Sequence, residues 1–401
     1  MHALRAFIKD SWDKTIAERT KGEFTLPYPF VPPTVQNGDF CVLFYWDTYF
    51  TNVGLLADGK TQLALYNVEN LLYALDYFGC VPNYTREKGA QWCSQPPLLC
   101  LMVQDIFKAT QDEKWLARAV SGLEKEYEFW MTKRMTPIGL NQYGCNETDE
   151  QEVVGYYQDV SGRIPLPQDI SNSAKAAKAK HFVAEAESGL DFSPRYADHN
   201  ALDYVQLDLN SHLYGVEKFL CEYFKDKDAE KHTYYQRQGD TRLELMEKYC
   251  YDEIRGVYCD YDFVAQKKSE LYFAGCFLPY FYGFAKKDSN LSVVYDNVKC
   301  KGGVYTCCDT GDRSYQWGYP NIWAPDQFFA YEGLKRYGYT QEAEALRAGY
   351  VQLLSDTYEK TGCLWERYHE DGAAPSLEYT TVIMLGWTAG VYTYFYEIGN
   401  Q

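Results

Sequence analysis

Helical periodicity recurs along most of this 401-residue chain and constrains its fold more than any other feature. In the stretch 62–78, Leu65, Val68, Leu71 and Leu75 recur at the three- and four-residue spacing of one helix face. Similar spacing predicts further helices over 98–107, 116–130, 174–187, 207–223, 243–251, 324–334 and 341–358. Strand-like segments are few, and 257–264 is the best of them. About a dozen helices fit the pattern, which predicts an all-α protein.

No Gly-, Ser- or Pro-rich linker divides the chain, so residues 1–401 are predicted to form a single domain. A chain of this length can also hold two or three ordinary domains, but its 46% of hydrophobic residues suffice for one large core. Two looser stretches, 136–171 and 299–313, are interpreted as long loops, which often carry function at the mouth of a barrel. Together these features predict a toroid of helices.

The net charge of −17 bears on the partners of the chain. An acidic surface repels nucleic acid and anionic membranes, so neither is expected as a partner. No apolar run in the sequence reaches the length of a membrane span. A neutral oligosaccharide or small glycoside fits this charge, because such a substrate needs no electrostatic steering. The oligomeric state is not indicated by these features.

The cysteines and the first residues bear on the compartment. There are 13 cysteines, an odd number, and they form no Cys-x-x-Cys pair. Residues 1–10 contain no uninterrupted apolar run of the kind found in signal peptides. A cytoplasmic location with reduced thiols is therefore predicted, although Cys307 and Cys308 can also join as a vicinal disulfide. The sequence contains no zinc-protease, EF-hand, dinucleotide or P-loop motif, so no cofactor or metal is predicted.

Four short segments, at 45–50, 94–97, 187–191 and 316–325, are rich in aromatic residues, carboxylates and amides. This mixture is typical of sugar-binding surfaces, because rings pack on the C–H faces of a pyranose while Asp, Asn and Gln bind its hydroxyl groups. The 17% of aromatic residues, including 38 Tyr and 9 Trp, fits a sugar cleft as well as a Tyr-rich core. The segments therefore indicate carbohydrate chemistry.

Hydrolysis of a glycosidic bond normally needs two carboxyl groups, one that protonates the leaving oxygen and one that activates water or attacks the sugar. Asp191 follows the predicted helix 174–187 and precedes an aromatic turn, so it is a candidate for one of them. Glu366 is the only acid in the aromatic run 364–368 and is the second candidate. The residues alone leave simpler interpretations open, since Asp191 can cap the next element and Glu366 can form a surface pair with Arg367.

The order and composition of these segments resemble the trehalases of glycoside hydrolase family 37. The matching segments are Tyr-Trp-Asp-Thr-Tyr at 45–49, Pro-Asn at 82–83, Ser-Gln-Pro-Pro at 94–97, Glu-Ser-Gly-Leu-Asp at 187–191, the Trp- and Pro-rich run at 316–325, Glu-Arg-Tyr at 366–368 and Gly-Trp-Thr-Ala-Gly at 386–390. All seven stand in the order of the family. One such segment is weak evidence of a relationship to these enzymes, but seven segments in the same order are strong evidence of it.

The resemblance implies an (α/α)6 barrel and an inverting mechanism. It assigns the general acid to Asp191 and the general base, which deprotonates the attacking water, to Glu366. Glu378 resembles the glutamate of the family's lid loop, although the glycine run before that glutamate is replaced here at 372–376. Trp317 can also be an ordinary core residue. The other substrate-binding positions implied by the resemblance, together with Trp317, are Trp46, Asp47, Asn83, Gln95, Gln316 and Trp323.

The departures from the family concern specificity. Trehalases hold the second glucose with arginines, and two of these positions correspond here to Asp39 and Cys93. The nearest match to the family's Arg-Pro-Glu element is Leu-Pro-Gln at 166–168. Arg86 and Arg195 are not substitutes by position, and neither Asp nor Cys can replace an Arg that donates to hydroxyl groups. The glycone pocket is therefore predicted to be kept and the aglycone pocket to be rebuilt.

The leading hypothesis is an inverting α-glycosidase that hydrolyses a small α-linked glucoside, either α,α-trehalose or a related one. The segments 191–196 and 208–210 also resemble glycoside hydrolase family 63, which shares the barrel and the acid–base pair but accepts other α-glucosides and mannosides. The alternative is a catalytically inactive or non-hydrolytic sugar-binding relative, which need not retain both Asp191 and Glu366. A third hypothesis is an isomerase or lyase, which often uses histidine, and only His369 lies near a motif.

Overall fold

The computed structural model describes residues 2–34, 41–86, 92–374 and 386–400. Within these ranges the chain forms fourteen α-helices, which confirm the predicted all-α class. The helices are α1 (His2–Thr15), α2 (Tyr45–Ala57), α3 (Thr61–Phe78), α4 (Leu99–Thr110), α5 (Glu113–Lys133), α6 (Glu150–Ser161), α7 (Asn172–Glu187), α8 (Leu207–Phe224), α9 (Ala229–Cys250), α10 (Leu278–Tyr282), α11 (Leu291–Val298), α12 (Ala324–Arg336), α13 (Thr340–Thr361) and α14 (Gly386–Ile398). The short strands are β1 (Tyr204–Val205), β2 (Tyr251–Asp252), β3 (Val257–Tyr258), β4 (Tyr261–Asp262), β5 (Lys267–Lys268), β6 (Lys299–Cys300), β7 (Gly303–Val304), β8 (Ile322–Trp323), β9 (Arg367–His369) and β10 (Gly372–Ala373).

Six of these helices form a closed ring. In the order α2, α4, α8, α10, α12 and α14, each helix contacts the next, and α14 returns to α2. Helices that pair with them, such as α9 with α8 and α13 with α12, lie outside the ring. Burial follows the same division, because α2 buries ten of its 13 residues whereas α9 buries five of its 22. This arrangement is the expected (α/α)6 barrel.

Helices α2 and α14 approach each other closely because glycines face each other at their contact. A Cβ added at Gly390 would lie 1.9 Å from the carbonyl oxygen of Phe50, and one added at Gly54 would lie 2.4 Å from the Cα of Gly390. Only residues without a side chain allow this backbone contact. The contact brings Trp46 and Trp387, which lie in the first turns of the two helices, within 5.9 Å between ring centroids.

The segment 257–264, predicted as one strand, instead forms two short strands in different sheets. β3 pairs with β2, whereas β4 pairs with β1. The break falls at Asp260, whose carboxylate accepts hydrogen bonds from the Arg195 guanidinium and from the amide of Leu207. Because these partners are distant in sequence, the local pattern could not reveal the break.

The stretch 136–171, interpreted as a loop, contains the helix α6. A glycine and three valines among its 12 residues make α6 a poor helix former, so local propensity did not indicate it. Asp149 caps the helix by accepting hydrogen bonds from the amides of Gln151 and Glu152 at 2.8 and 3.3 Å. Packing against α7 supplies further stabilisation.

We call α6 and the turn 162–166 that follows it the cap. The buried face of α6 packs on α7 in a hydrophobic cluster that is separate from the main core. The amides of Arg163 and Ile164 both donate to the carbonyl oxygen of Val160, at 2.9 and 3.0 Å, and order the turn. The expectation of one domain over 1–401 stays a prediction. The members of the separate cluster are Val153, Tyr157, Val160, Ala176, Ala179, Phe182 and Phe192.

Candidate active site

A cavity of about 350 Å³ lies at the end of the barrel where α2 and α14 begin. The three predicted carboxyl residues that line it are each partly exposed, so a ligand can reach them. Glu378 and the specificity position Asp39 lie outside the described residues. The predicted site residues that line the cavity are Trp46, Asp47, Asn83, Gln95, Asp191, Gln316, Trp317, Trp323 and Glu366.

Four indole rings, of Trp46, Trp317, Trp323 and Trp387, form what we call the tryptophan floor of the cavity. Trp317 and Trp323 stack with 3.9 Å between centroids and 10° between ring planes. Trp387 presents its edge to both of them, and Trp46 lies 5.6 Å from Trp317. All four are at most 6% exposed, so they belong to the main core as well as to the cavity wall. Trp317 is therefore both a core residue and a lining residue of the cavity, so both interpretations of it from the sequence hold.

The segment that contains Gln316 is tied to the loop that carries Asp191. The Gln316 side chain donates from Nε2 to the main-chain oxygen of Asp191 at 3.0 Å. The amide of Trp317 donates to the carbonyl oxygen of Phe192 at 3.2 Å. Trp323 Nε1 in turn donates to the carbonyl oxygen of Gln316 at 3.1 Å. These bonds fix the position of Asp191 relative to the tryptophan floor.

Gly189 lets the chain pass close to the floor just before Asp191. Its φ of +75° lies in the left-handed region that favours glycine. A Cβ added there would lie 2.8 Å from the Trp46 ring. A larger residue at this position would therefore push the Asp191 loop away from the floor.

Glu366 lies between α13 and β9, and β9 pairs with β8 so that Arg367 stands opposite Trp323. The main-chain oxygen of Glu366 accepts a hydrogen bond from Trp387 Nε1 at 3.3 Å. Arg367 is buried, with its guanidinium 5.5 Å from the Trp323 ring centroid. Glu366 and Arg367 therefore do not form an exposed surface pair.

Asp47 lies in the first turn of α2, close to Glu366. Burial raises the pKa of Asp47 to about 8, and the negative charge of Glu366 adds to the rise. Asp47 is therefore protonated at neutral pH and can donate a hydrogen bond as well as accept one. Gln95, beside it, accepts a hydrogen bond from the amide of Trp46 at 3.1 Å.

The trehalase family model matches residues 4–400 of this chain. The chain belongs to the trehalase family. The periplasmic trehalase of Xanthomonas campestris pv. campestris (strain 8004) is 28% identical over 420 residues, which cover 97% of this chain and 72% of that protein. The chain is therefore a trehalase-like glycoside hydrolase.

Two solved structures share the fold of this trehalase-family chain. The neutral trehalase of Saccharomyces cerevisiae superposes with a TM-score of 0.79 at 23% identity, covering 98% of this chain and 79% of the yeast chain. A mannosylglycerate hydrolase of glycoside hydrolase family 63 from Thermus thermophilus superposes with a TM-score of 0.62 at 15% identity, covering 98% of this chain and 100% of the other. These likenesses confirm the (α/α)6 barrel.

The cytoplasmic location expected from the sequence is wrong, because the Xanthomonas relatives are named periplasmic trehalases. That expectation used the composition of residues 1–10 and the unpaired pattern of the cysteines. Both features are indirect signs of the compartment, and the names of the relatives contradict them. All 13 cysteines lie within the described residues, and none of them forms a disulfide, Cys307 and Cys308 included.

The arginine positions of the trehalase family are filled differently here. Cys93 is buried and accepts a hydrogen bond from Asn83 Nδ2 at 3.5 Å. Arg195 is enclosed between Asp208 and Asp260, to whose carboxylates it makes four hydrogen bonds of 2.6–2.9 Å. Among the described residues, the one arginine that lines the cavity is Arg163, from the cap.

The cavity is also lined by side chains that no sequence-based prediction named. Trp387 stands in the matched segment 386–390, so the motif could have pointed to it. Phe44 and Tyr84 flank matched segments. Tyr156 and Arg163 lie in the stretch interpreted as a loop, where no motif marks them. These side chains are Phe44, Tyr84, Tyr156, Arg163 and Trp387.

Other chemistries have little support in the part of the chain that the structure describes. No histidine lines the cavity there, and His369 Nε2 hydrogen-bonds the Asn321 side chain at 3.1 Å. No group of three or more His, Cys, Asp or Glu residues in these ranges is arranged to hold a metal ion. No described helix combines the length and apolar character needed to cross a membrane.

Proposed function

We propose that this chain is an inverting α-glucosidase that hydrolyses a small α-linked glucoside such as α,α-trehalose. One observation carries the proposal: Asp191, after α7, and Glu366, after α13, line one cavity above the tryptophan floor. Two carboxyl groups that face a shared sugar-sized space are what glycoside hydrolysis needs.

Asp191 acts as the general acid and Glu366 as the general base. Asp191 gives its proton to the glycosidic oxygen as the bond from this oxygen to the anomeric carbon breaks. Glu366 takes a proton from a water molecule, whose oxygen forms the new bond to the anomeric carbon from the opposite face. The reaction therefore inverts the anomeric configuration, and we expect a carboxyl separation of about 6.5–9.5 Å.

The tryptophan floor and the side chains around it bind the glycone. The indole faces pack on the C–H surface of the sugar ring and favour the positive charge that develops on it. Asp47, Asn83, Gln95 and Gln316 bind the hydroxyl groups. Because Asp47 is protonated at neutral pH, it offers a donor without adding a further charge beside Glu366.

The size of the cavity and the relatives support a small substrate. A volume of about 350 Å³ lies at the lower end of the range of about 300–1,000 Å³ for ligand pockets, which suits a short glycoside. The curated relatives are named trehalases. The related hydrolase from Thermus thermophilus is solved in complex with glucose.

The test is hydrolysis of a panel of α-linked glucose disaccharides, including trehalose, kojibiose, nigerose, maltose and isomaltose, followed as release of free glucose. We expect at least one of them to be hydrolysed, trehalose first, and the Glu366→Gln variant to fail on the same substrate. If the chain binds glucose but hydrolyses none of the panel, the proposal is wrong and the non-hydrolytic sugar-binding alternative holds.

A further inference from the structure

Two side chains of the cap, Tyr156 and Arg163, line the cavity, although the motif segments supply its catalytic and glycone-binding groups. We propose that the cap forms the aglycone side of the site, where Tyr156 and Arg163 select a neutral pyranose as the leaving group. This inference rests on the proposed function, because it needs Asp191 to be the general acid.

The two ends of the cavity can be told apart by their neighbours. A general acid must stand beside the leaving oxygen, so the aglycone lies on the Asp191 side of the scissile bond. The cap, which carries Tyr156, is on that side, because its cluster with α7 includes Phe192, the residue next to Asp191. Asp47 lies near Glu366, whose charge adds to the effect of burial on the pKa of Asp47. The cap therefore flanks the leaving group.

The packing of the cap holds these two side chains in the cavity wall. Neighbouring Tyr157 points away into the cluster with α7, and its hydroxyl donates to the carbonyl oxygen of Pro167 at 2.7 Å. Tyr156 lies at the cavity, with its ring centroid 6.0 Å from that of Trp92 and nearly perpendicular to it. Arg163 projects from the turn that the Val160 carbonyl orders.

The chemistry of this side suits a neutral sugar. Tyr84 lines the same cavity as Tyr156. The Tyr84 ring packs on Phe44 with 5.6 Å between centroids, so an aromatic surface is available for sugar C–H groups. Arg163 and the phenols supply donors for hydroxyl groups.

An anionic aglycone fits less well. Glu366, the ionised general base, lines the same cavity, and its negative charge disfavours a further negative charge on the aglycone. Among the described lining residues, Arg163 alone carries a positive charge, and it is largely exposed, where solvent and salt weaken its attraction. The balance of charge therefore favours a neutral ring over a carboxylate.

The experiment compares the disaccharide that the chain hydrolyses best with α-D-glucopyranosyl fluoride, whose leaving group makes no contact with the cap. We expect Arg163→Met and Tyr156→Phe to lower kcat/KM for the disaccharide by about 10- to 100-fold and about 3- to 10-fold, mainly through KM. Both variants should keep kcat/KM for the fluoride within about twofold. Tyr157→Phe, which changes the adjacent phenol outside the cavity, is the matched control and should leave both substrates unaffected.

Each outcome bears on the inference. Equal losses on both substrates, or no loss on either, would overturn the role of the cap and leave the proposed function standing. A higher kcat/KM for α-glucosylglycerate than for any neutral disaccharide would overturn the choice of a neutral ring. If the unmodified chain hydrolyses neither a disaccharide of the panel nor the fluoride, the proposed function fails and the inference fails with it.

Discussion

The tryptophan floor and the cap line one cavity but are built in different ways. The floor draws Trp46, Trp317, Trp323 and Trp387 from distant parts of the chain into the main core, where their rings contact one another. The cap is a single helix and turn that packs on α7 in a small cluster of its own. The comparison indicates that the catalytic and glycone half depends on the whole barrel, whereas the cap depends on a small cluster that meets the Asp191 loop at Phe192.

The largest effect should come from the two carboxyl groups. Asp191→Asn and Glu366→Gln should each lower kcat for the disaccharide by about 10²- to 10⁴-fold or more, because each removes a proton transfer. On α-D-glucopyranosyl fluoride, Asp191→Asn should lose far less, since fluoride leaves with little protonation, whereas Glu366→Gln should still be inactive. Stopped assays of both variants on both substrates measure these changes in kcat. The opposite pattern would exchange the two roles, and near-normal activity of either variant would remove that residue from catalysis.

Disrupting the tryptophan floor should also lower the free energy of unfolding more than disrupting the cap. Trp387→Ala should lower the free energy of unfolding by about 3–5 kcal/mol, because it opens a cavity among stacked rings in the core. Urea denaturation followed by tryptophan fluorescence and circular dichroism measures the change. Tyr77→Ala is the control, since this ring is 55% exposed and its loss should cost about 0.5 kcal/mol or less. Similar values for both variants would mean that the floor does not stabilise the barrel.

Asp47 should make the glycone half sensitive to pH. Its pKa is raised from 3.8 to about 8, so between these values the folded chain keeps a proton that the unfolded chain has lost. The free energy of unfolding should therefore fall as the pH rises from about 4 to about 8, with a slope of at most about 1.4 kcal/mol per pH unit from this group. Asp47→Asn should make the slope shallower. An unchanged slope in urea titrations across this range would contradict the raised pKa.

The smallest effect should be local to the cap. Val160→Ala should cost about 1 kcal/mol by removing methyl groups from the separate cluster. Hydrogen exchange of the α6 amides should become about fivefold faster, while the amides of α2 should keep their rates. Equal acceleration in both helices would show that the cap and the barrel unfold together, which would break the comparison.

The sequence predicted the floor side much better than the cap side. Helices such as α3 and α13 carry strong periodicity, and the seven matched segments led to Asp191, Glu366 and most of the side chains around them. The packing of Trp317, Trp323 and Trp387 could not be predicted, because it depends on strand pairing and on the glycine contact of α2 with α14.

The cap was missed for a different physical reason. Helix α6 contains a glycine and valines, which are poor helix formers. It depends for stability on the Asp149 side chain at its N-terminus and on packing against α7, so its helical periodicity is weak. Without that helix, no sequence pattern placed Tyr156 and Arg163 at the site, and Arg86 and Arg195 were the arginines nearest to the matched segments. Tertiary contacts, which a single sequence does not contain, decided this half of the site.

The most direct test of the central claim is the configuration of the sugar at the moment of release. Proton NMR during the first minutes of hydrolysis distinguishes the two anomers of glucose before mutarotation mixes them. If Asp191 protonates the leaving oxygen while Glu366 activates water on the opposite face, the newly released glucose is the β-anomer. Initial formation of the α-anomer would show that the two carboxyl groups do not work in this way.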